Sequence, residues 1–284
     1  MTGPVFELVP LGGHELHVAR WGDRGKPALT MVHGLARTGR DFDDLAAALA
    51  KDYCILCPDL VGRGLSSWSS RPETDYSLAA YAQLMLDLLD HYGIDRTGWI
   101  GTSLGGLIGM WLAAGPDAHR LDALVINDIG PQIPQAAIDR IVTYVGAPPR
   151  FATVTEAEAW LRETYLPFGP APDSFWRRMA QTSVRRLPEG DLTLHYDPAI
   201  TTQFTASAQE LTTWDRWQRI ETPTHLLRGA HSDLLLADTA RRMQQTGPKP
   251  ALTTYEDCGH APSLATPAAI ADLRAILQQL SPQN

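Results

Sequence analysis

The chain reads as an α/β protein in which short apolar strands alternate with helices around a parallel sheet. Apolar runs bounded by turn residues recur at Ala28-Leu-Thr-Met-Val32, Gly98-Trp-Ile-Gly101, Leu121 to Asn127, Thr224-His-Leu-Leu227 and Leu252-Thr-Thr-Tyr255. Helical patterns separate them. Four of these runs break into a loop carrying a polar residue, at His33, Ser103, Asp233 and His260. In a parallel sheet with crossover helices such loops share one edge, where an active site can be assembled from distant parts of the chain.

The elements follow in order. Phe6 to Val9 and Glu15 to Arg20 predict a hairpin around Gly12-Gly13, followed by a strand over 28–32, a helix from about Asp41 to Ala50 and a strand over 53–57. A helix from about Leu78 to Tyr92 places Leu84, Leu88 and Leu89 on one face and stops at Gly93. The next strand enters Gly101-Thr102-Ser103-Leu104-Gly105, and a helical run over Leu104 to Ala114 leaves it. A strand that turns sharply into a helix around a serine is a nucleophile elbow. The turn forces the serine toward positive φ, and flanking side chains larger than hydrogen would collide with strand and helix. Further strands are expected at 121–127, near 224–227 and over 251–255, and Thr266-Pro267 opens a last helix running to about Leu280.

The order Ser103, Asp233, His260, preceded by the His33-Gly34 turn, resembles the α/β-hydrolase superfamily across nearly the whole chain. Asp59-Leu-Val-Gly-Arg-Gly-Leu-Ser66 is similar to the family's glycine-rich turn, although many members carry Pro and His where this chain has Val61 and Arg63. The resemblance implies a mostly parallel eight-stranded sheet flanked by helices, with a helical cap inserted after the sixth strand. It also implies a core over 1–130 and 214–284, with the cap over 131–213. That segment departs from simple alternation and holds many prolines and the aromatics Tyr144, Phe151, Trp160, Tyr165, Phe168, Phe175 and Trp176, suited to roofing an apolar pocket. Its arginines, Arg140 among them, are interspersed with acids and read as solvated faces.

The family's chemistry carries over residue by residue. Ser103 is the expected nucleophile, His260 the base, and Asp233 the acid that orients the imidazole. The backbone N–H groups of Leu35 and Leu104 are expected to form the oxyanion hole. Asp128, at the end of the strand over 121–127, is a rival acid at a position that a minority of members use. Asp233 is preferred because Arg228-Gly-Ala-His-Ser-Asp-Leu matches the commoner pattern. His33 is expected to shape its turn.

With 284 residues, 44% of them hydrophobic, the chain can bury a substantial core. A formal net charge of −8 and the lack of a basic run argue against a nucleic-acid partner. No stretch approaches the ~20 apolar residues that span a bilayer, and no signal core opens the chain, so a cytoplasmic location and no membrane partner are expected. Cys54 and Cys57 sit on a strand pointing to opposite faces, and Cys258 reads as packing, so no disulfide framework is expected. His14-x-x-His17 on a strand splits in the same way, and neither a metal nor another cofactor is implied. The expected activity is cleavage of a small ester, lactone or thioester through an acyl-enzyme. A cofactor-free carbon–carbon bond hydrolase or a haloperoxidase- or perhydrolase-like enzyme on the same triad is the alternative, and an intact triad counts against a third reading, a non-catalytic ligand receptor on the same fold. Some carbon–carbon hydrolases carry tryptophan after the catalytic histidine, where this chain has Ala261-Pro262.

Overall fold

The computed structural model describes residues 3–204 and 212–280; of the expected core and insertion, residues 1–2, 205–211 and 281–284 lie outside these. The hairpin forms from β1 (Val5–Leu11) and β2 (His14–Trp21). β3 (Ala28–Val32) follows, then a single 3-10 turn at Gly39–Phe42, α1 (Asp43–Leu49) and β4 (Cys54–Pro58). The short α2 (Pro72–Asp75) leads to α3 (Leu78–His91), whose N-cap Ser77 accepts the Ala80 N–H at 3.2 Å. β5 (Thr97–Thr102) runs into α4 (Leu104–Ala113), and β6 (Leu121–Asn127) comes next.

The segment after β6 contains α5 (Gln135–Val145), β7 (Arg150–Phe151), α6 (Val154–Thr164), α7 (Asp173–Ser183), β8 (Val184–Arg186) and β9 (Leu192–Leu194). Its three strands form a small antiparallel sheet of their own, ordered β7-β9-β8, so this region is not purely helical. Strands of two or three residues are too short to show a period of two, which is why they escape a reading of the sequence pattern. The chain then closes with α8 (Trp214–Trp217), β10 (Thr224–Gly229), α9 (Ala237–Gln245), β11 (Ala251–Tyr255) and α10 (Pro267–Leu280).

The large sheet has eight strands in the order β1-β2-β4-β3-β5-β6-β10-β11. Its first two pairings are antiparallel and the rest parallel. Because parallel strands must be joined by crossovers, helices cover both faces and the central strands are buried on both sides. On one face Leu45 and Leu49 of α1 and Leu273, Ile276 and Leu277 of α10 pack against Leu29, Met31, Ile55 and Val125. The other face holds α3 and α4 over Val32, Leu56, Trp99 and Ile126. α4 is buried nearly all round, since it lies between the sheet and its neighbours. This packing leaves the carboxyl ends of β3, β5, β6 and β10 converging on one edge.

Candidate active site

Ser103 has φ 53° and ψ −113°, the strained turn expected between β5 and α4. Sterics explain the glycines. A Cβ on Gly101 would lie 2.2 Å from the carbonyl carbon of Gly105, and one on Gly105 would lie 2.0 Å from the Val32 oxygen. The elbow is also tied to its neighbours by hydrogen bonds. Ser103 N–H donates to the Asn127 carbonyl at 2.9 Å, and the Asn127 side-chain amide donates to Thr102 Oγ1 and to the Pro262 carbonyl, each at 3.0 Å. Asn127 thereby fastens the serine turn to the loop that carries His260.

His260 bridges two partners. Its Nε2 lies 3.0 Å from Ser103 Oγ, and its Nδ1 lies 2.8 Å from Oδ2 of Asp128. The acid in contact with the imidazole is therefore Asp128, and the sequence-based assignment of Asp233 is corrected. Asp233 is about half exposed, 56% by side chain, and its carboxylate pairs with Arg140. The reason lies in the strand ends. Asp128 follows β6 directly with φ 59° and is fully buried, whereas Asp233 lies four positions beyond the end of β10. The loop after β10 still serves the acid: Gly229 N–H donates to Asp128 Oδ1 at 2.8 Å and Ser232 Oγ–H to Oδ2 at 2.5 Å. A buried carboxylate needs such donors. The signal available in the sequence was the absence of any spacer between strand and acid at Asn127-Asp128.

The turn after β3 completes the arrangement. His33 is buried, with Nδ1 against the Gly34 carbonyl at 2.7 Å and Nε2 accepting the Leu60 N–H at 3.0 Å. Those partners require a neutral ring with its proton on Nδ1. Burial pushes its pKa down to about 4, against the pull of Asp59, so His33 shapes the turn as the sequence suggests. Arg63 is fully buried and donates from Nε to the Leu35 carbonyl and from Nη1 to the Val61 carbonyl, both at 2.8 Å. Its Nη1 also meets the Tyr81 hydroxyl, and its guanidinium lies by the Tyr76 and Tyr81 rings. Leu104 is the first residue of α4, so its N–H has no carbonyl four residues back within the helix. Leu35, on the turn after His33-Gly34, lines the cavity beside Ser103.

A cavity of about 420 Å³ opens over Ser103 and His260. Of the seven aromatics expected to roof it, Tyr144, Tyr165, Phe168 and Phe175 do so, while Phe151, Trp160 and Trp176 do not line it and pack elsewhere in the same segment. Two arginines line it as well. Arg37 makes a bidentate pair with Asp41, at 2.8 and 2.7 Å, beneath the Tyr165 ring. Arg140 is the other, so it is a rim residue and not merely part of a solvated face. The remaining candidates separate. His14 faces Asp75 and His17 faces Asp59, and the three cysteines are buried and free, Cys258 packing on the Phe168 carbonyl. Among the described residues no cluster of three or more metal-binding side chains occurs, and no helix is long and apolar enough to cross a membrane.

A serine held in a strained elbow, bonded to a histidine that is bonded to a buried aspartate, on this sheet, defines a hydrolase scaffold. Residues 31–273 match the Alpha/beta hydrolase family, and the chain belongs to it. The chain is 38% identical over 274 residues to a 3-hydroxybutyrate-oligomer hydrolase of Cupriavidus necator, with 93% of each sequence covered. It is 33% identical over 146 residues to lipase LipV of Mycobacterium tuberculosis, covering 51% of this chain and 53% of that one. An alpha/beta hydrolase from Novosphingobium aromaticivorans superposes with a TM-score of 0.86 at 35% identity, covering 98% of this chain and 99% of that one. The protein is an enzyme of this family.

Proposed function

We propose that the protein is a serine hydrolase of small carboxylic esters, working through an acyl-enzyme on a Ser103–His260–Asp128 triad. The observation that carries this reading is the unbroken chain of hydrogen bonds from Ser103 Oγ through His260 to Asp128. An alcohol is a weak nucleophile, so His260 Nε2 takes the Ser103 proton as Oγ attacks the ester carbonyl. Asp128 holds the Nδ1 proton and stabilises the imidazolium that forms. The Leu35 and Leu104 N–H groups stabilise the oxyanion, and His260 returns its proton to the departing alcohol. Water then repeats the sequence on the acyl-enzyme and releases the acid. The segment 131–213 acts as the cap over this chemistry.

The cavity and the kinship support one substrate class. A partly enclosed space of about 420 Å³ holds a small molecule and excludes polymers. The full-length relative named for 3-hydroxybutyrate oligomers supports short oligoesters of a hydroxy acid as the substrates to try first. A serine-directed phosphonate should label Ser103, and Ser103→Ala should lose at least about three orders of magnitude of ester turnover while remaining folded. Undiminished labelling and turnover in Ser103→Ala would overturn the mechanism. Labelling at Ser103 without turnover of any ester would favour the carbon–carbon or peroxidase-like alternative.

A further inference from the structure

The cavity wall is apolar along Leu35, Phe42, Ile141, Phe168 and Phe175, but it is not apolar throughout. Arg37, Tyr144 and Tyr165 line it together, and the Arg37 charge acts on both phenols. Arg37 is only 4% exposed, and Asp41 engages its Nε and Nη2. The side chains of Arg37 and Ser103 flank the same glycine: a Cβ on Gly34 would sit 3.8 Å from Arg37 Cγ and 3.6 Å from Ser103 Cβ. Among the described residues the Tyr144 hydroxyl has no protein partner. Burial raises the pKa of both phenols, so each keeps its proton and can donate.

The charges in this wall are already balanced, Arg37 by Asp41 and Arg140 by Asp233. Arg37 also turns toward the Tyr165 hydroxyl, so the donors left facing the cavity are the two phenolic O–H groups, backed by the guanidinium. A purely hydrocarbon acyl or alcohol group placed against these donors would strip them of water and return nothing. A ligand carrying oxygen acceptors there would satisfy them.

Resting on the ester-hydrolase reading, we infer that the Arg37, Tyr144 and Tyr165 wall is a specificity site for a second carboxyl-derived group of the substrate, a free carboxylate or a further ester carbonyl. The preferred substrates are thus esters with two such groups a few carbons apart, not simple alkyl esters. A site built to hydrogen-bond a group discriminates against analogues that lack it far better than an apolar pocket discriminates size.

The test compares three 4-nitrophenyl esters of matched chain length: an alkanoate, the methyl ester of a dicarboxylate half-ester, and the free half-acid. At least one oxygenated ester should exceed the alkanoate in kcat/KM by about tenfold or more, and the better of the two identifies carbonyl or carboxylate as the group recognised. Tyr144→Phe, which removes one oxygen and no packing volume, should lower that ratio by about fivefold or more, with Tyr165→Phe as an independent second variant. Equal kcat/KM for all three esters overturns the specificity site while leaving the triad mechanism intact. So does a ratio indifferent to both Tyr→Phe changes. Were none of the esters turned over, calorimetric binding of monomethyl glutarate and glutarate to Ser103→Ala, with and without Tyr144→Phe, decides the question without catalysis. Tighter binding of either ligand in the presence of the hydroxyl supports the site, and equal binding refutes it.

Discussion

His260 Nδ1 meets Asp128 Oδ2 at 2.8 Å, across 132 positions of sequence, while Asp233 points to Arg140 at the cavity rim. Two carboxylates therefore follow neighbouring parallel strands, and only the one at the end of β6 is buried on the imidazole. The difference ranks them. Asp128→Asn keeps the shape but reverses the imidazole tautomer, so kcat should fall by roughly three to four orders of magnitude. Asp233→Asn should change kcat less than about threefold, since an exposed ion pair contributes only about 0–1 kcal/mol. Steady-state kinetics on both variants, with circular dichroism to confirm folding, decide it, and the opposite ranking would return the acid to Asp233.

The acyl-chain series reads the cavity. Acetate to hexanoate esters of good leaving groups should be hydrolysed, with a steep fall in kcat/KM at longer chains and no activation by lipid droplets, because the space over Ser103 is about 420 Å³. Equal or rising kcat/KM at dodecanoate would mean that the segment after β6 leaves an open groove.

Gly105→Ala tests the elbow as a packing problem. The added methyl would stand 2.0 Å from the Val32 oxygen and 2.6 Å from its carbonyl carbon, both backbone atoms that cannot rotate away. A destabilisation above about 4 kcal/mol, or failure to yield soluble protein, is expected. A variant with wild-type melting temperature would show that β3 and α4 can separate at small cost.

Arg63→Met removes a fully buried cation from the Leu35 and Val61 carbonyls without changing the cavity's own residues. Leaving those carbonyls and the Tyr81 hydroxyl unpaired should cost about 2–4 kcal/mol. Under the proposed mechanism Arg63, by holding the carbonyl of Leu35, positions the Leu35 N–H, and kcat should then fall by about tenfold with little change in KM. An unchanged kcat in a destabilised variant would leave Arg63 with a structural role alone.

His33 makes stability depend on pH. Its folded pKa is depressed to about 4 from 6.5, so the unfolded chain binds the extra proton first. Its contribution is fully present above pH 6.5 and is lost as pH falls from 6.5 toward 4, amounting to at most about 3 kcal/mol. Urea unfolding at pH 5 and pH 7 should show a smaller difference between the two pH values for His33→Asn than for the natural chain. Identical differences would mean that His33 also titrates normally when folded.

Much of the architecture is local in origin and was therefore legible in the residues. β3, β6, β11 and the helix Pro267–Leu280 fall where apolar runs, Gly stops and the Thr266-Pro267 cap place them, since each depends on contacts within a few residues. The elbow is legible for the same reason, because a glycine before and after Ser103 is demanded by the turn itself. His260 was identified by order along the chain. The small sheet of β7, β8 and β9 was not legible, because its strands are only two or three residues long and β7 pairs with β9 across some forty residues.

The choice of acid lies at the other extreme. Asp128 and Asp233 each stand past an apolar strand, and the one local difference, that Asp128 follows its strand without a spacer, does not by itself say which carboxylate meets the imidazole. Their difference comes from how β6, β10 and the His260 loop pack: Asn127 ties the elbow to Pro262, and the Gly229 N–H and Ser232 hydroxyl close around Asp128. The same holds for Arg37 and Arg140, whose places in the cavity wall depend on how the segment after β6 folds back over Ser103. Residue types and strand-helix rhythm thus specified the scaffold, the serine elbow and the histidine that meets it, since these answer to short-range sterics and to order along the chain. The partner of the base and the polarity of the cavity answer to long-range packing, where burial determines which of several equivalent side chains meets the reacting groups.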